Sequence, residues 1–172
     1  MNGEAAILTG VYTGTQKGGG KHAVASAVLL AGHGVEGDSH AGRDPRRQVS
    51  LFSQEVLQQL LAEGFSLSAG ELSANLFTAN LALDKLKPGA QLRIGDAILE
   101  IVEARKPCRS ITKLDNQLPK RLFGRCGQLA TIVTGGTVRV GDSIAIIDHS
   151  RQLAFAFGEP ANNEAPANQA VR

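Results

Sequence analysis

Two stretches of the chain, GAQLRIGDAI from Gly89 and GGTVRVGDSI from Gly135, are versions of one pattern. They agree at Gly, Arg, Gly, Asp and Ile, and each carries a hydrophobe at two further positions: Leu92 and Ile94 in the first, Val138 and Val140 in the second. Apolar side chains at alternate positions mark a strand with one buried face, and a Gly-Asp pair between two such runs marks a tight turn. Each copy therefore reads as strand, turn, strand. The offset of 46 residues is not sustained elsewhere, so the pattern predicts a recurring hairpin rather than a solenoid. A β-barrel with hairpins of one design accommodates it.

The rest of the chain agrees. HAVASAVLL places Val24, Ser26 and Val28 on one face and Ala23, Ala25 and Ala27 on the other, and RQVSLF puts Val49 and Leu51 on one side of a second strand. A helix follows: Ser53 is placed to cap its first free amides, Val56, Leu57, Leu60 and Leu61 fall on one stripe, and Gly64 can close it in a left-handed conformation. One or two more helical turns are predicted around 118–123, bounded by Asn116 and Gly124. The expected fold class is mainly β, a closed or partly closed β-barrel with one amphipathic helix and short helical turns. The 172 residues suit one domain over 1–157. From Gly158 onward GEPANNEAPANQAVR has two prolines, three asparagines and almost no large apolar side chains, the composition of a disordered tail over 158–172.

Apolar residues make up 42% and charged residues 20%, and no apolar run approaches the length of a membrane span. The first residues, MNGEAAILTG, lack the basic and long apolar regions of a secretory signal, so a cytoplasmic protein with no membrane partner is expected. Two cysteines are too few for a disulfide framework, a zinc ribbon or a four-thiolate iron–sulfur cluster. The formal net charge is only +2, but between Arg105 and Arg125 seven cations face one acid, a local +6 that leaves −4 on the remainder. Such a window suits a small anion, a phosphorylated ligand or a short stretch of nucleic acid, and equally a solvated basic face. With six Phe, one Tyr and no Trp, little aromatic surface is offered for stacking on bases. That composition argues against a nucleic-acid partner.

Two tempting motifs fail. GTQKGGGKH has Thr15 where a phosphate-binding loop needs its first glycine and His22 where it needs Ser or Thr, so it reads as a flexible glycine-rich turn. GDSHA has Gly42 and Pro45 after it, where a nucleophile elbow must open a helix. The four histidines show no metal-binding spacing. His40 stands apart because its loop, GHGVEGDSHAGRDPRRQ, is rich in glycine and runs on into Arg43, Arg46 and Arg47. Glycines let backbone approach a ligand, and arginines grip oxyanions with two prongs, which makes this a candidate anion-binding loop.

The segment ARKPCRS sets Cys108 among Arg105, Lys106 and Arg109. Neighbouring cations lower a thiol pKa, and the thiolate is the reactive and metal-binding form. Cys108 thus fits a nucleophile, a persulfide carrier or a ligand to a soft metal, against the alternative of inert packing. Cys126, between glycines in GRCGQLA, has the weaker claim.

Taken together, GHGVEGDSHAG, RQVSLFSQEVL, GELSANLFT, LKPGAQLRIGDAILEIVEARKPC and FGRCGQLATIVTGGTVRVGDSIAI resemble, in order and spacing, a stand-alone MOSC domain, the family named after the C-terminal domain of molybdenum cofactor sulfurases. The resemblance runs from about Gly32 to Ile147. It implies a compact barrel related to the barrel domain of pyruvate kinase, with Cys108 ligating molybdenum or carrying sulfane sulfur. It also implies a cleft that grips the phosphate of molybdopterin through Arg43, Arg47, Asn75, Arg105, Lys106, Arg109 and Arg125, and His40 of the candidate anion-binding loop joins them as an expected cofactor-binding residue. On that basis the expected function is a molybdenum cofactor protein, an oxidoreductase that reduces N-hydroxylated compounds with electrons from a separate flavin or iron–sulfur donor. The alternative is a persulfide carrier loaded by a cysteine desulfurase. The pyridoxal phosphate of the full sulfurase is not expected to be held by this chain alone.

Overall fold

The computed structural model describes residues 4–108 and 110–147. Arg109, His149 and the tail expected over 158–172 lie outside the described residues. The elements in chain order are β1 (Ile7–Thr13), β2 (His22–Val24), β3 (Ser26–Leu30), β4 (Gly34–Val35), β5 (Val49–Ser53), α1 (Gln54–Ala62), β6 (Leu76–Ala79), β7 (Gln91–Ile94), β8 (Ala97–Ala104), α2 (Leu118–Leu122), β9 (Gln128–Thr134), β10 (Gly136–Arg139) and β11 (Ile144–Ile147). Short 3-10 turns at Gly70–Leu72, Leu83–Lys85 and Ile111–Lys113 were not legible in the sequence pattern.

One eight-stranded sheet runs β11-β7-β8-β9-β5-β6-β1-β2, and β10-β3-β4 form a smaller second sheet. All neighbours are antiparallel except β5 and β6, which run parallel with Phe52 opposite Phe77. The large sheet curls until the start of β1 meets the start of β11. Ile7 bridges Ser143, Leu8 N donates to Asp142 O at 2.9 Å, and Ile144 N donates to Ala6 O at 2.8 Å. The result is a partly closed β-barrel, mainly β as the patterning predicted.

Two features differ from the sequence reading. HAVASAVLL is not one strand: it divides at Ala25, so that β2 pairs with β1 while β3 pairs with β10. The division shifts the inward face, and Val24 and Ala27, three positions apart, both pack on the core. The repeated Gly-Asp segments also part company. The first copy is the predicted hairpin, with β7 and β8 antiparallel and Ile94 opposite Ala97. In the second, β10 joins β3 and β11 joins β7. Its turn is held instead by Arg139 N donating to Asp142 Oδ2 at 2.7 Å and by bonds to β1.

The apolar side chains separate into two cores. Inside the barrel lie Leu8, Leu29, Leu51, Leu76, Leu92, Ile94, Leu99 and Ile101 with their neighbours. On the outer face of β5 and β6, Phe52 and Phe77 form a second cluster with Leu57 and Leu60 of α1, Leu118 and Leu122 of α2, Leu72, Ile111 and Cys126. Both faces of β5 are therefore buried, which is why VSLF reads as a near-continuous apolar run. α1 begins as predicted: Ser53 Oγ accepts from Val56 N at 3.2 Å. Leu57 and Leu60 are its buried residues, whereas Leu61 faces solvent.

Candidate functional site

At one end of the barrel a cleft of about 850 Å³ is lined by residues from distant parts of the chain. β8 carries the central piece. At its end Arg105 N donates to Gly127 O at 2.9 Å, and the chain then runs through Lys106 and Pro107 to Cys108. Beyond lies the turn at Ile111–Lys113, anchored by buried Ile111 in the second core. The cysteine is thus an exposed side chain between two fixed points.

Burial works against ionisation of the Cys108 thiol, but the Ser110 hydroxyl, the amides of Ile111 and Ser110, and the Arg105 charge outweigh it and hold the pKa below the usual thiol value. Ser110 was not singled out by the sequence, where the cations drew attention. Cys126 behaves oppositely: burial pushes its thiol up, Arg105 lowers it, and Cys108 raises it further. It sits within the second core as a packing residue.

The loop of residues 38–48 forms the facing wall. Asp44 Oδ1 accepts from the amides of Arg46 and Arg47 at 2.8 and 3.2 Å, fixing the turn after Gly42. Gln48 fastens it to β9, accepting from Ile132 N at 2.9 Å. Arg47 reaches Glu103 Oε1 at 2.5 Å. Asn75 is buried, and its amide is fully engaged: Oδ1 accepts from Ser50 N and Oγ at 3.2 and 3.0 Å, and Nδ2 donates to Tyr12 O at 3.2 Å and to Asp38 Oδ2 at 3.1 Å. Burial disfavours the charge on Asp38, but bonds from the Lys21 side chain and the His40 amide, the Lys21 charge and the Gly14 amide hold its pKa below the usual carboxylate value.

Of the residues read from the sequence, the cleft gathers His40, Arg43, Arg47, Asn75, Arg105, Lys106 and Cys108. Arg125 lies elsewhere. It lines a neighbouring pocket of about 500 Å³, and its guanidinium donates to Gln59 Oε1 and Glu63 Oε1, each at 3.0 Å, because α2 docks against the end of α1. Arg105 and Ala104 border both cavities.

Sequence reasoning missed Lys17 and Lys21, and counted Lys113 only as one charge of the basic window. The glycine-rich segment is an exposed turn whose end is anchored: Lys21 N donates to Gly70 O at 2.9 Å, and residues 17–21 line the cleft. The failed phosphate-loop test hid this, since the segment lines the cleft without that loop's geometry. Lys17, Arg43, Lys106 and Lys113 form no side-chain ion pair or hydrogen bond among the described residues, and Arg105 Nη1 is buried without a partner while Nη2 donates to Leu72 O at 2.7 Å. An anion would satisfy these groups. No three or more His, Cys, Asp or Glu side chains among the described residues are grouped to hold a metal ion. No helix among them is long and apolar enough to cross a membrane.

No curated protein sequence matches the chain. Among solved structures, the YuaD protein from Bacillus subtilis is similar at a TM-score of 0.72 and 24% identity, over 81% of this chain and 94% of that one. YiiM from Escherichia coli aligns at 0.66 and 22% identity, over 84% and 70% of the two chains. YiiM from Geobacillus stearothermophilus aligns at 0.65 and 16% identity, over 83% and 75%. These likenesses establish the fold. The model of the MOSC domain matches residues 36–145, which span the 38–48 loop, Cys108 and strands β5 to β10, and the chain belongs to the MOSC domain family.

Proposed function

We propose that this protein binds the molybdenum cofactor in the basic cleft and reduces N-hydroxylated compounds with electrons from a separate flavin or iron–sulfur protein. The observation that carries this reading is a lowered-pKa, exposed Cys108 in the same cleft as unpaired cations. The donor set fits. A single protein thiolate suits a metal whose other soft ligands come from a pterin dithiolene, and the chain offers one such thiolate without a surrounding cluster of protein ligands among the described residues. Lys17, Arg43, Lys106, Lys113 and Arg105 supply the charge that a phosphate of about −2 requires. When bound, the cofactor supplies the electron transfer that breaks the nitrogen–oxygen bond.

Molybdenum content of protein purified anaerobically from cofactor-competent cells tests the reading. Near-stoichiometric metal is expected in the wild type, and a loss of more than about tenfold in Cys108→Ala. Less than a few per cent metal in the wild type defeats it.

The exposure of the Cys108 sulfur also favours a second reading, a persulfide carrier. Incubation with a cysteine desulfurase and labelled cysteine then loads Cys108. Equal uptake by Cys108→Ala eliminates the carrier.

A further inference from the structure

A buried ion pair backs a half-exposed imidazole at the edge of the cleft. The side chains of Lys21 and Asp38 are 3% and 2% exposed and pair directly. Asp38 Oδ2 also accepts from Gly14 N at 3.2 Å and Asn75 Nδ2 at 3.1 Å. Its other oxygen, Oδ1, accepts from His40 N at 2.9 Å and lies 3.2 Å from His40 Nδ1. Ser39 Oγ is 3.3 Å from the same ring nitrogen and, as a hydroxyl, can either give or accept. An ionised carboxylate accepts only, so Nδ1 carries the proton in this contact and Nε2 is left to gain and lose one.

The phosphate-gripping reading does not need this arrangement. A surface histidine that only contributes charge requires no buried carboxylate fixed by Lys21, Gly14 and Asn75. A group that must present one nitrogen in one orientation does. The His40 side chain is 54% exposed and lines the cleft that contains Cys108. Lys17, Arg43, Asp44 and Glu71 share the cleft, but among the described residues Asp38 is the only charged group within hydrogen-bond distance of the ring.

We propose that His40 is the proton-transfer residue of the cleft and Asp38 its positioning residue; this rests on the reductase reading. Reduction of an N-hydroxylated amine consumes two electrons, from the flavin or iron–sulfur donor, and two protons. The nitrogen–oxygen bond breaks, the oxygen leaves as water after taking one proton, and the nitrogen keeps the other as the amine. His40 Nε2 gives the proton to the departing oxygen, and its half-exposed ring is reloaded from solvent.

Two measurements test this. The first is nitrogen NMR of the metal-free protein, where neutral His40 is expected as the Nδ1–H tautomer and Asp38→Asn is expected to abolish that preference. Because Asp38 also holds Lys21, the amide spectrum of Asp38→Asn must first show a folded chain; the wild-type tautomer judges the contact without it. The second uses molybdenum-loaded protein and a hydroxylamino-purine. His40→Gln should lower kcat about a hundredfold or more with metal content and KM unchanged, and imidazole should restore part of the rate in His40→Ala. A neutral Nε2–H tautomer in the wild type, or a His40→Gln kcat within about threefold of an active wild type, overturns the proposal while leaving the reductase reading standing. A loaded wild type that reduces no N-hydroxylated compound instead overturns the reading itself, and the proposal with it.

Discussion

The acidity of Cys108 depends more on its hydroxyl and amide donors than on the cations beside it in sequence. Burial raises its pKa; the Ser110 hydroxyl and the Ile111 and Ser110 amides reverse that, and Arg105 contributes last. Alkylation follows the thiolate fraction. The rate of iodoacetamide labelling against pH should therefore have its midpoint below that of a free thiol. Ser110→Ala should move the midpoint up and slow labelling at neutral pH, and Arg105→Ala should move it up by less. Cys126, buried with a raised pKa, should label only after unfolding. Mass spectrometry of the labelled peptides reads all three, and a Ser110→Ala profile that superimposes on the wild type contradicts this account. The sequence singled out Cys108, which lines the cleft with a lowered pKa, since a cysteine among cations is visible in one window. It did not identify the donors, because proximity of the Ser110 hydroxyl and the Ser110 and Ile111 amides to the sulfur is a property of the folded loop and not of residue type.

At the level of elements, the two Gly-Asp segments show how far a local pattern determines pairing. Both copies make strands and both turn at a glycine with positive φ, Gly95 at 53° and Gly141 at 98°. Alternation and turn chemistry are local, so they were legible. Pairing is not, because β10 and β11 meet better-placed partners in β3 and β7. The copies then pack on each other: a Cβ added to Gly95 would collide with the Asp142 carboxylate and the Thr137 carbonyl, whereas nothing lies within 4 Å of one added to Gly141. Alanine at Gly141 should cost only the left-handed backbone term, about 1–2 kcal/mol. At Gly95 the same term is joined by overpacking of about 1–3 kcal/mol. Urea unfolding of the two variants should thus rank Gly95→Ala clearly below Gly141→Ala, and equal losses would show that the turns do not interlock. The same limit explains HAVASAVLL: its alternation is correct on either side of Ala25, and only the presence of two sheets divides it.

In the whole molecule, the cleft exists in no single window of sequence. It is assembled from residues 17–21, 40–50, 71–75, 103–108, 110–114 and Leu129, which the curled sheet brings to one end of the barrel. Motif by motif, several walls could be recognised, but the +6 window could not be partitioned without the fold. Arg105, Lys106 and Lys113 turn into the cleft, while Arg121 and Arg125 face Glu63 on the side of α1, at 3.4 and 3.0 Å. This partition distinguishes a local grip on an anion from a diffuse positive field. Lys106→Glu and Lys120→Glu change the net charge identically, so a field acting at long range would weaken anion retention in both. Screening at physiological salt confines exposed charges to about 8 Å, and Lys120 is absent from the cleft lining. Lys106→Glu should therefore cost retention of the phosphorylated cofactor about 1.5–3 kcal/mol, on the order of tenfold or more in affinity. Lys120→Glu should stay within about twofold of the wild type, since an exposed charge outside the lining makes no direct contact with the anion and is screened by salt. Molybdenum and phosphate content after dialysis at fixed salt compares them. Equal losses in the two variants would place the anion outside this cleft, held by the overall charge of the window and not by its walls.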